Sequence, residues 1–229
     1  MRIGGLLKFS LIDYPGKVAA VVFTAGCNYR CPFCHNPELV LPELFNTPIS
    51  TDDILAFLEK RKDQLQGVVV TGGEPTIHND LPDFLFRIKS LGYFVKLDTN
   101  GSRPDVLSVV INRKLVDFIA MDIKSSPESY CKATGVAVDI TVVKGSINLI
   151  RESGCEYQFR TTLFKKVVSE NDLLDIMAFI GDVKEYRLQK GSLKEKVLDY
   201  KYFADEGDYS QEEFERMRKI YSRSSQVIE

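Results

Sequence analysis

The chain has 229 residues, 44% of them hydrophobic, which is enough for one domain with a sizeable core. Its 30 basic and 32 acidic residues are interspersed and leave a formal net charge of −2, so no basic block or stripe points to nucleic acid. Residues 1–5 show no signal-peptide pattern, and the apolar run at 18–23 is far too short to span a bilayer, so a cytoplasmic protein with no membrane contact is expected.

In chain order, residues 3–9 read as an N-terminal strand, and Asp13-Tyr14-Pro15-Gly16 as the turn that follows it. Residues 18–24 form a buried strand that ends just before a group of cysteines. Residues 35–49 carry Pro37, Pro42 and Pro48 and read as a long loop. A helix is expected over 51–64, with Ile54, Leu55, Phe57 and Leu58 on one side and Ser50 or Thr51 as N-cap. Residues 67–71 form the next strand. Asp80-Leu81-Pro82 opens a helix that runs through Leu91. Strands at 94–99 and 118–122 follow, then a helix at 140–153 and a strand at 157–163. Ser169-Glu170-Asn171-Asp172 resembles a capping box for a helix reaching Ile180. A sixth strand lies at 185–189, and Ser210 with Glu213 begins a last helix over 211–223.

Short apolar strands alternating with helices define an α/β chain, either a parallel sheet covered on both faces or a βα barrel. Six units fall short of eight, so the expectation is a partial (β/α)6 TIM-like barrel. It forms a single domain over 1–229, with a core at about 18–189 and a polar, irregular flap followed by a helix at 190–229.

Cys27, Cys31 and Cys34 stand in a C-x3-C-x2-C string with no fourth cysteine nearby. A [4Fe–4S] cluster held by thiolates alone uses four of them. Three leave one iron open to another ligand, which suits chemistry rather than electron storage. Zinc is the main rival, since His35 follows Cys34, but adjacent residues rarely reach one tetrahedral ion together and the spacing is unusual for zinc. A disulfide would leave an odd thiol and need an oxidising compartment. The spacing therefore favours a cluster in the loop 26–36. Cys131 and Cys155 are isolated and read as small core residues. With no second cysteine group, electrons have to come from an external donor.

In βα folds function collects at the C-terminal ends of the strands. Here the first parallel strand runs into the cysteine loop, and the second into Gly72-Gly73-Glu74-Pro75. The third ends in Asp98-Thr99-Asn100-Gly101 and the fourth in Asp122-Ile123-Lys124, the fifth carries Arg160, and the sixth ends in Gln189. Each has a plainer reading taken alone: a turn for the glycines and for Asn100-Gly101, surface charge for Lys124 and Arg160, and a loop position for His78. Their recurrence at successive strand ends is what points to one site.

The string C-x3-C-x-Φ-C, with Phe33 as Φ, followed by Gly-Gly-Glu, resembles the radical S-adenosylmethionine (SAM) superfamily. Residues 11–17 (LIDYPGK), Gly26 and Cys34-His35-Asn36-Pro37 resemble the activating enzymes of glycyl radical enzymes, among them the activators of anaerobic ribonucleotide reductase, and the likeness extends over 3–189. The resemblance implies that Cys27, Cys31 and Cys34 hold the cluster and that SAM chelates the fourth iron. It places Gly72, Gly73 and Glu74 at the methionine ammonium, and Phe33 and His35 near the adenine. Asp98, Thr99, Ala120 and Asp122 resemble a corner that holds a monovalent cation beside the SAM carboxylate. Asn100, Asp122, Ile123 and Lys124 belong to the SAM contacts, and Arg160 and Gln189 close the pocket, Gln189 standing where related activators often carry histidine. The implied reaction is one-electron cleavage of SAM to methionine and a 5′-deoxyadenosyl radical, fed by a flavodoxin or ferredoxin, with hydrogen taken from a backbone glycine of a glycyl radical enzyme. No protein acid or base is required. The alternatives are a radical SAM enzyme for a small molecule, of the 7-carboxy-7-deazaguanine synthase type, and a non-enzymatic iron–sulfur electron carrier.

Overall fold

Seven strands make one sheet, seen in a computed structural model that describes residues 1–193, 196–204 and 207–223. Strand β1 (Ile3–Ser10) pairs antiparallel with β2 (Ala19–Thr24). Then β3 (Gly67–Gly72), β4 (Phe94–Thr99), β5 (Phe118–Asp122), β6 (Glu156–Leu163) and β7 (Tyr186–Lys190) add in parallel, each beside its predecessor in sequence. β1 and β7 are not paired with each other, so the barrel stays open on one flank.

Every parallel strand is followed by helix. After β2 come the single turn α1 (Pro37–Val40) and α2 (Thr51–Glu59); α3 (Leu81–Ser90) follows β3 and α4 (Pro104–Asn112) follows β4. The short α5 (Tyr130–Thr134) and α6 (Ile140–Glu152) follow β5, α7 (Glu170–Ile180) follows β6 and α8 (Gln211–Tyr221) follows β7. Six βα units behind an antiparallel leader match the expected partial TIM-like barrel.

A pleated strand sends alternate side chains to opposite faces. Outward residues such as Val22, Val70, Leu97, Met121 and Phe159 pack against Leu58, Leu85, Val110, Ile147 and Ile176 of the helices. Inward residues Tyr14, Ala19, Val21, Val69, Phe118 and Ala120 form a smaller core that plugs the N-terminal end of the barrel. Above that plug the inward positions turn polar, and the site begins there.

Differences from the sequence reading have local causes. Helix α2 ends at Glu59, not 64, because residues 59–63 are all charged and supply nothing to extend its buried stripe of Ile54, Leu55 and Leu58. Helix α4 was not expected; it starts on Pro104 and buries only Leu107 and Val110, and its β-branched run at 109–111 blurs the helical period. The proline loop holds α1 and a 3₁₀ turn at Pro42–Leu44, each opened by its own proline. The capping boxes of Ser169 with Asp172 and Ser210 with Glu213 are both formed. Of the expected flap, residues 194–195 and 205–206 lie outside the described residues, as do 224–229 of the C-terminal segment. The described part of the flap lies along the cysteine loop: the Asp199 amide donates to Pro32 O at 2.9 Å, and the Lys196 ammonium meets Glu38 at 3.1 Å. Among the described residues no helix is long and apolar enough to cross a membrane.

Candidate active site

Two loops meet at the top of β2 and β3 through glycine backbone. The Gly26 amide donates to Leu39 O at 2.8 Å, and Gly26 O accepts from the Glu74 amide at 2.7 Å. A Cβ on Gly73 would stand 2.0 Å from Gly26 O, so no side chain fits between the loops. Gly72 has φ +113 and its Cβ would strike the Thr24 backbone at 2.5 Å. These contacts hold the cysteine loop against the Gly-Gly-Glu segment.

The cysteine loop is pinned from behind by a residue that the sequence reading passed over. The Arg30 guanidinium donates to Cys27 O at 2.7 Å and Tyr29 O at 2.8 Å, while its amide donates to Thr134 O at 2.7 Å. Gly135, with φ +67, lets α5 end tightly against Arg30 O, which a Cβ there would approach to 2.4 Å. Its place after a short helix is the one sequence signal for this buttress.

All three cysteines line one cavity of about 220 Å³, with Tyr29, Phe33, His35, Gly72, Gly73 and Glu74 around it. Asp98, Thr99, Asn100, Asp122, Lys124, Thr71 and Thr162 complete the polar side. The thiols are free. Burial pushes Cys31 up to about 12 and Cys27 up to about 11, and it raises Cys34 as well. Buried sulfurs of this kind ionise only when a positive partner arrives. Among the described residues no three Cys, His, Asp or Glu side chains converge on a single ion. A four-iron cluster spreads its thiolates over different irons, so the cysteine set fits a cluster better than zinc. His35 Nδ1 lies 3.2 Å from Lys196 O, turned to backbone rather than to the thiols. The Tyr29 hydroxyl is buried and finds no hydrogen-bond partner among the described residues.

Glu74 is 1% exposed. Its Oε1 accepts from the Thr76 amide (3.1 Å), Thr76 Oγ1 (2.5 Å) and Thr99 Oγ1 (2.7 Å), and its Oε2 from the Asn100 amide (2.6 Å). Burial raises its pKa, and the hydrogen bonds from Thr76, Asn100 and Thr99 oppose that. The carboxylate thus ties the ends of β3 and β4 together and keeps one lone pair on Oε2 for a further donor. Asn100 reaches back to the cysteine loop, its Nδ2 donating to Asn28 Oδ1 at 3.0 Å.

The opposite wall is ionic. Arg160 Nε donates to Asp122 Oδ1 at 2.8 Å and its NH1 to Asp98 Oδ2 at 3.2 Å, and Lys124 Nζ lies 3.1 Å from Asp122 Oδ2. Burial alone would raise Asp122, but Arg160 and Lys124 outweigh it and hold that carboxyl well below the usual range. The Lys124 ammonium also stands 6.0 Å from the centre of the Phe33 ring. Phe33 in turn packs on Phe164 at 5.4 Å, with His35 6.0 Å from the same ring.

Three expected contacts fall elsewhere. Ile123 is fully buried in the outer core, because it alternates away from Asp122 and Lys124. Arg160 lies behind Asp98 and Asp122 rather than on the cavity wall, and acts through them. Gln189 is exposed on the edge strand β7, opposite Thr162 in register, and does not line the cavity. Tyr29, Thr71 and Thr162 line it without having been singled out. Thr71 and Thr162 were legible, since each sits at the C-terminal end of a parallel strand.

Three thiols and a glycine-lined cavity thus lie at the C-terminal mouth of an open (β/α)6 barrel. The description "Radical SAM superfamily" matches residues 21–180, and the chain belongs to that superfamily. Its cofactors are a [4Fe–4S] cluster and SAM. The chain is 33% identical over 202 residues to a Methanocaldococcus jannaschii protein provisionally named a glycyl-radical enzyme activating enzyme, covering 82% of this chain and 79% of that one. It is 38% identical over 87 residues to the 7-carboxy-7-deazaguanine synthase of Halobacterium salinarum, which is 38% of this chain and 33% of the synthase. The fold is similar to that of Streptococcus suis SuiB bound to S-adenosylmethionine, with a TM-score of 0.69 at 17% identity over 87% of this chain and 45% of that one. The chain thus spans 79% of the Methanocaldococcus jannaschii relative but less than half of the other two.

Proposed function

We propose that this chain is an activating enzyme that installs a radical on a backbone glycine of a glycyl radical enzyme. The observation that carries the reading is the open flank. Leu7, 45% exposed, pairs with Val21 and therefore shares the inner face of the barrel. Gly5 pairs with Phe23 one step nearer the cavity, and a Cβ there would meet only Phe23 at 3.7 Å. β1 and β7 are not paired to each other, and their outer edges carry only the isolated bridges Ile3–Ile49 and Tyr186–Arg223 among the described residues, so a polypeptide loop has a lateral way to the cavity that a closed barrel would deny. The long match to a relative provisionally named as such an activator supports the same reading.

In this reading Cys27, Cys31 and Cys34 hold the cluster, and Gly72 and Gly73 offer backbone carbonyls to the ammonium of SAM, joined by the free lone pair of Glu74. Phe33 and His35 flank the adenine side. When bound and given one electron by an external donor of the flavodoxin or ferredoxin class, these cofactors would supply hydrogen-abstracting radical chemistry, with methionine as the leaving group. The residues of the chain exclude water, neutralise charge and fix position. Arg30 and Asn100 hold the cysteine loop at fixed height over Glu74. Lys124, between Asp122 and Phe33, places a positive charge beside the buried sulfurs and the ligand carboxylate. No side chain needs to move a proton.

The test is anaerobic reconstitution with iron and sulfide, followed by EPR with and without SAM and by measurement of 5′-deoxyadenosine release. The sample is then mixed with a glycyl radical protein from the same genome. A SAM-dependent change in the cluster signal, followed by a glycyl radical signal on the partner, is expected. SAM cleavage driven by a purine-like small molecule, with no protein radical formed, would replace this reading with the synthase type.

A further inference from the structure

Lys96 occupies a position that sheet register makes apolar on both sides. On β4 its neighbours across the sheet are Val69 of β3 and Phe118 of β5, both in the inner plug. Yet the lysine is 4% exposed and points into the barrel, two residues before Asp98 on the same face. Its ammonium bonds Asp98 Oδ1 and stands 6.0 Å from the centre of the Phe118 ring. An isolated ammonium among such neighbours is costly, so its pairing with Asp98 has to compensate.

That pairing completes a chain of charges. Asp98 Oδ1 takes Lys96, and Asp98 Oδ2 takes Arg160 at 3.2 Å and Thr71 Oγ1 at 3.4 Å. Asp122 Oδ1 takes Arg160 at 2.8 Å, and Asp122 Oδ2 takes Lys124 at 3.1 Å. All four carboxylate oxygens carry a cationic partner from the protein. Three cations face two carboxylates, leaving one positive charge in excess at the cavity floor. Each of these oxygens already meets a protein cation, and a further monovalent cation entering the corner would have to compete with Lys96, Arg160 and Lys124 for them.

We propose that Lys96 is a built-in counter-cation: with Arg160 it neutralises Asp98 from below and fixes it, so that the pocket takes up SAM without a dissociable monovalent cation. The inference rests on the radical SAM reading of the cavity, and it departs from the cation corner that the sequence resemblance implied. Lys96 acts through Asp98 and is a positioning residue.

Two measurements test it separately from that reading. Thermal unfolding of the cluster-free protein in potassium chloride and in tetramethylammonium chloride, at equal ionic strength, reads the corner without SAM. Wild type should melt alike in both salts, whereas Lys96→Ala should be stabilised selectively by potassium, which can enter beside the vacated Asp98 Oδ1. Equilibrium dialysis of SAM against the reconstituted protein is the second measurement. Wild type should bind equally in both salts, Lys96→Ala should bind about tenfold more weakly in tetramethylammonium and recover in potassium, and Lys96→Arg should stay indifferent to the salt. A wild-type requirement for potassium, in melting or in dialysis, overturns the proposal, and so does a Lys96→Ala variant without potassium response. Should Lys96→Ala fail to fold, the salt indifference of wild type and Lys96→Arg still decides. Absence of SAM binding by wild type in both salts would count against the pocket reading, while the melting comparison would still judge Lys96.

Discussion

The two walls of the cavity solve the same problem by different means. On the wall of the cysteine loop and Gly72-Gly73-Glu74 the buried carboxylate has no ion pair among the described residues; Glu74 is satisfied by hydroxyls and amides, and backbone meets backbone where glycine leaves room. The wall of β4, β5 and β6 is an unbroken chain of charges from Lys96 to Lys124. Burial raises the pKa of Glu74 and its neutral donors do not offset it, whereas Arg160 and Lys124 outweigh burial and depress that of Asp122. The lesson is a division of labour: close steric fit sets where a ligand sits, and paired charge sets what sign it can carry.

The most complete way to break the contrast is on the neutral wall. Cys31→Ala should abolish iron and sulfide incorporation, read by metal analysis and visible absorbance, while the cluster-free protein loses only about 1 kcal/mol in a urea titration. Retained iron would remove Cys31 from the ligand set. On the ionic wall Arg160→Met leaves two carboxylates short of a partner and should cost about 3–5 kcal/mol of urea stability. A cost near zero would mean that the charge chain is dispensable to the fold.

Gly73→Ala should be milder, about 1–3 kcal/mol, because Gly26 O must retreat from a Cβ placed 2.0 Å away. It should also weaken iron uptake by parting the loops, and unchanged uptake would free the glycines of that role.

The smallest effect sharpens the comparison by sign. Asp122 has a depressed pKa, so its contribution is present above the unfolded value of about 3.9 and is lost as pH falls through the folded value. Glu74 has a raised pKa, so its contribution is full below the unfolded value of about 4.3 and is lost as pH rises through the folded value. In urea midpoints followed from about pH 3 to 7, Asp122→Asn should flatten the acid limb and Glu74→Gln should remove the loss on raising pH. Profiles that change in the same direction would show that the walls do not differ as described.

What was legible in the chain was everything carried by periodicity and by neighbours in sequence. Apolar runs placed all seven strands, the capping boxes at Ser169 and Ser210 placed the last two helices, and polar residues at successive strand ends located the cavity. Strand alternation carries Lys96 to the inner face with Asp98, a position the sequence analysis leaves unread, and it turns Ile123 away from Asp122 and Lys124, against the SAM contact that the resemblance implied. Tertiary structure alone decided the partners: Arg30 with Thr134, Asn100 with Asn28, Arg160 with both Asp98 and Asp122, and the described flap along the cysteine loop. Strand period fixes which face a side chain takes, because it depends on backbone geometry over a few residues. Which charges meet across that face depends on register and curvature set by the whole sheet, and no local pattern encodes it.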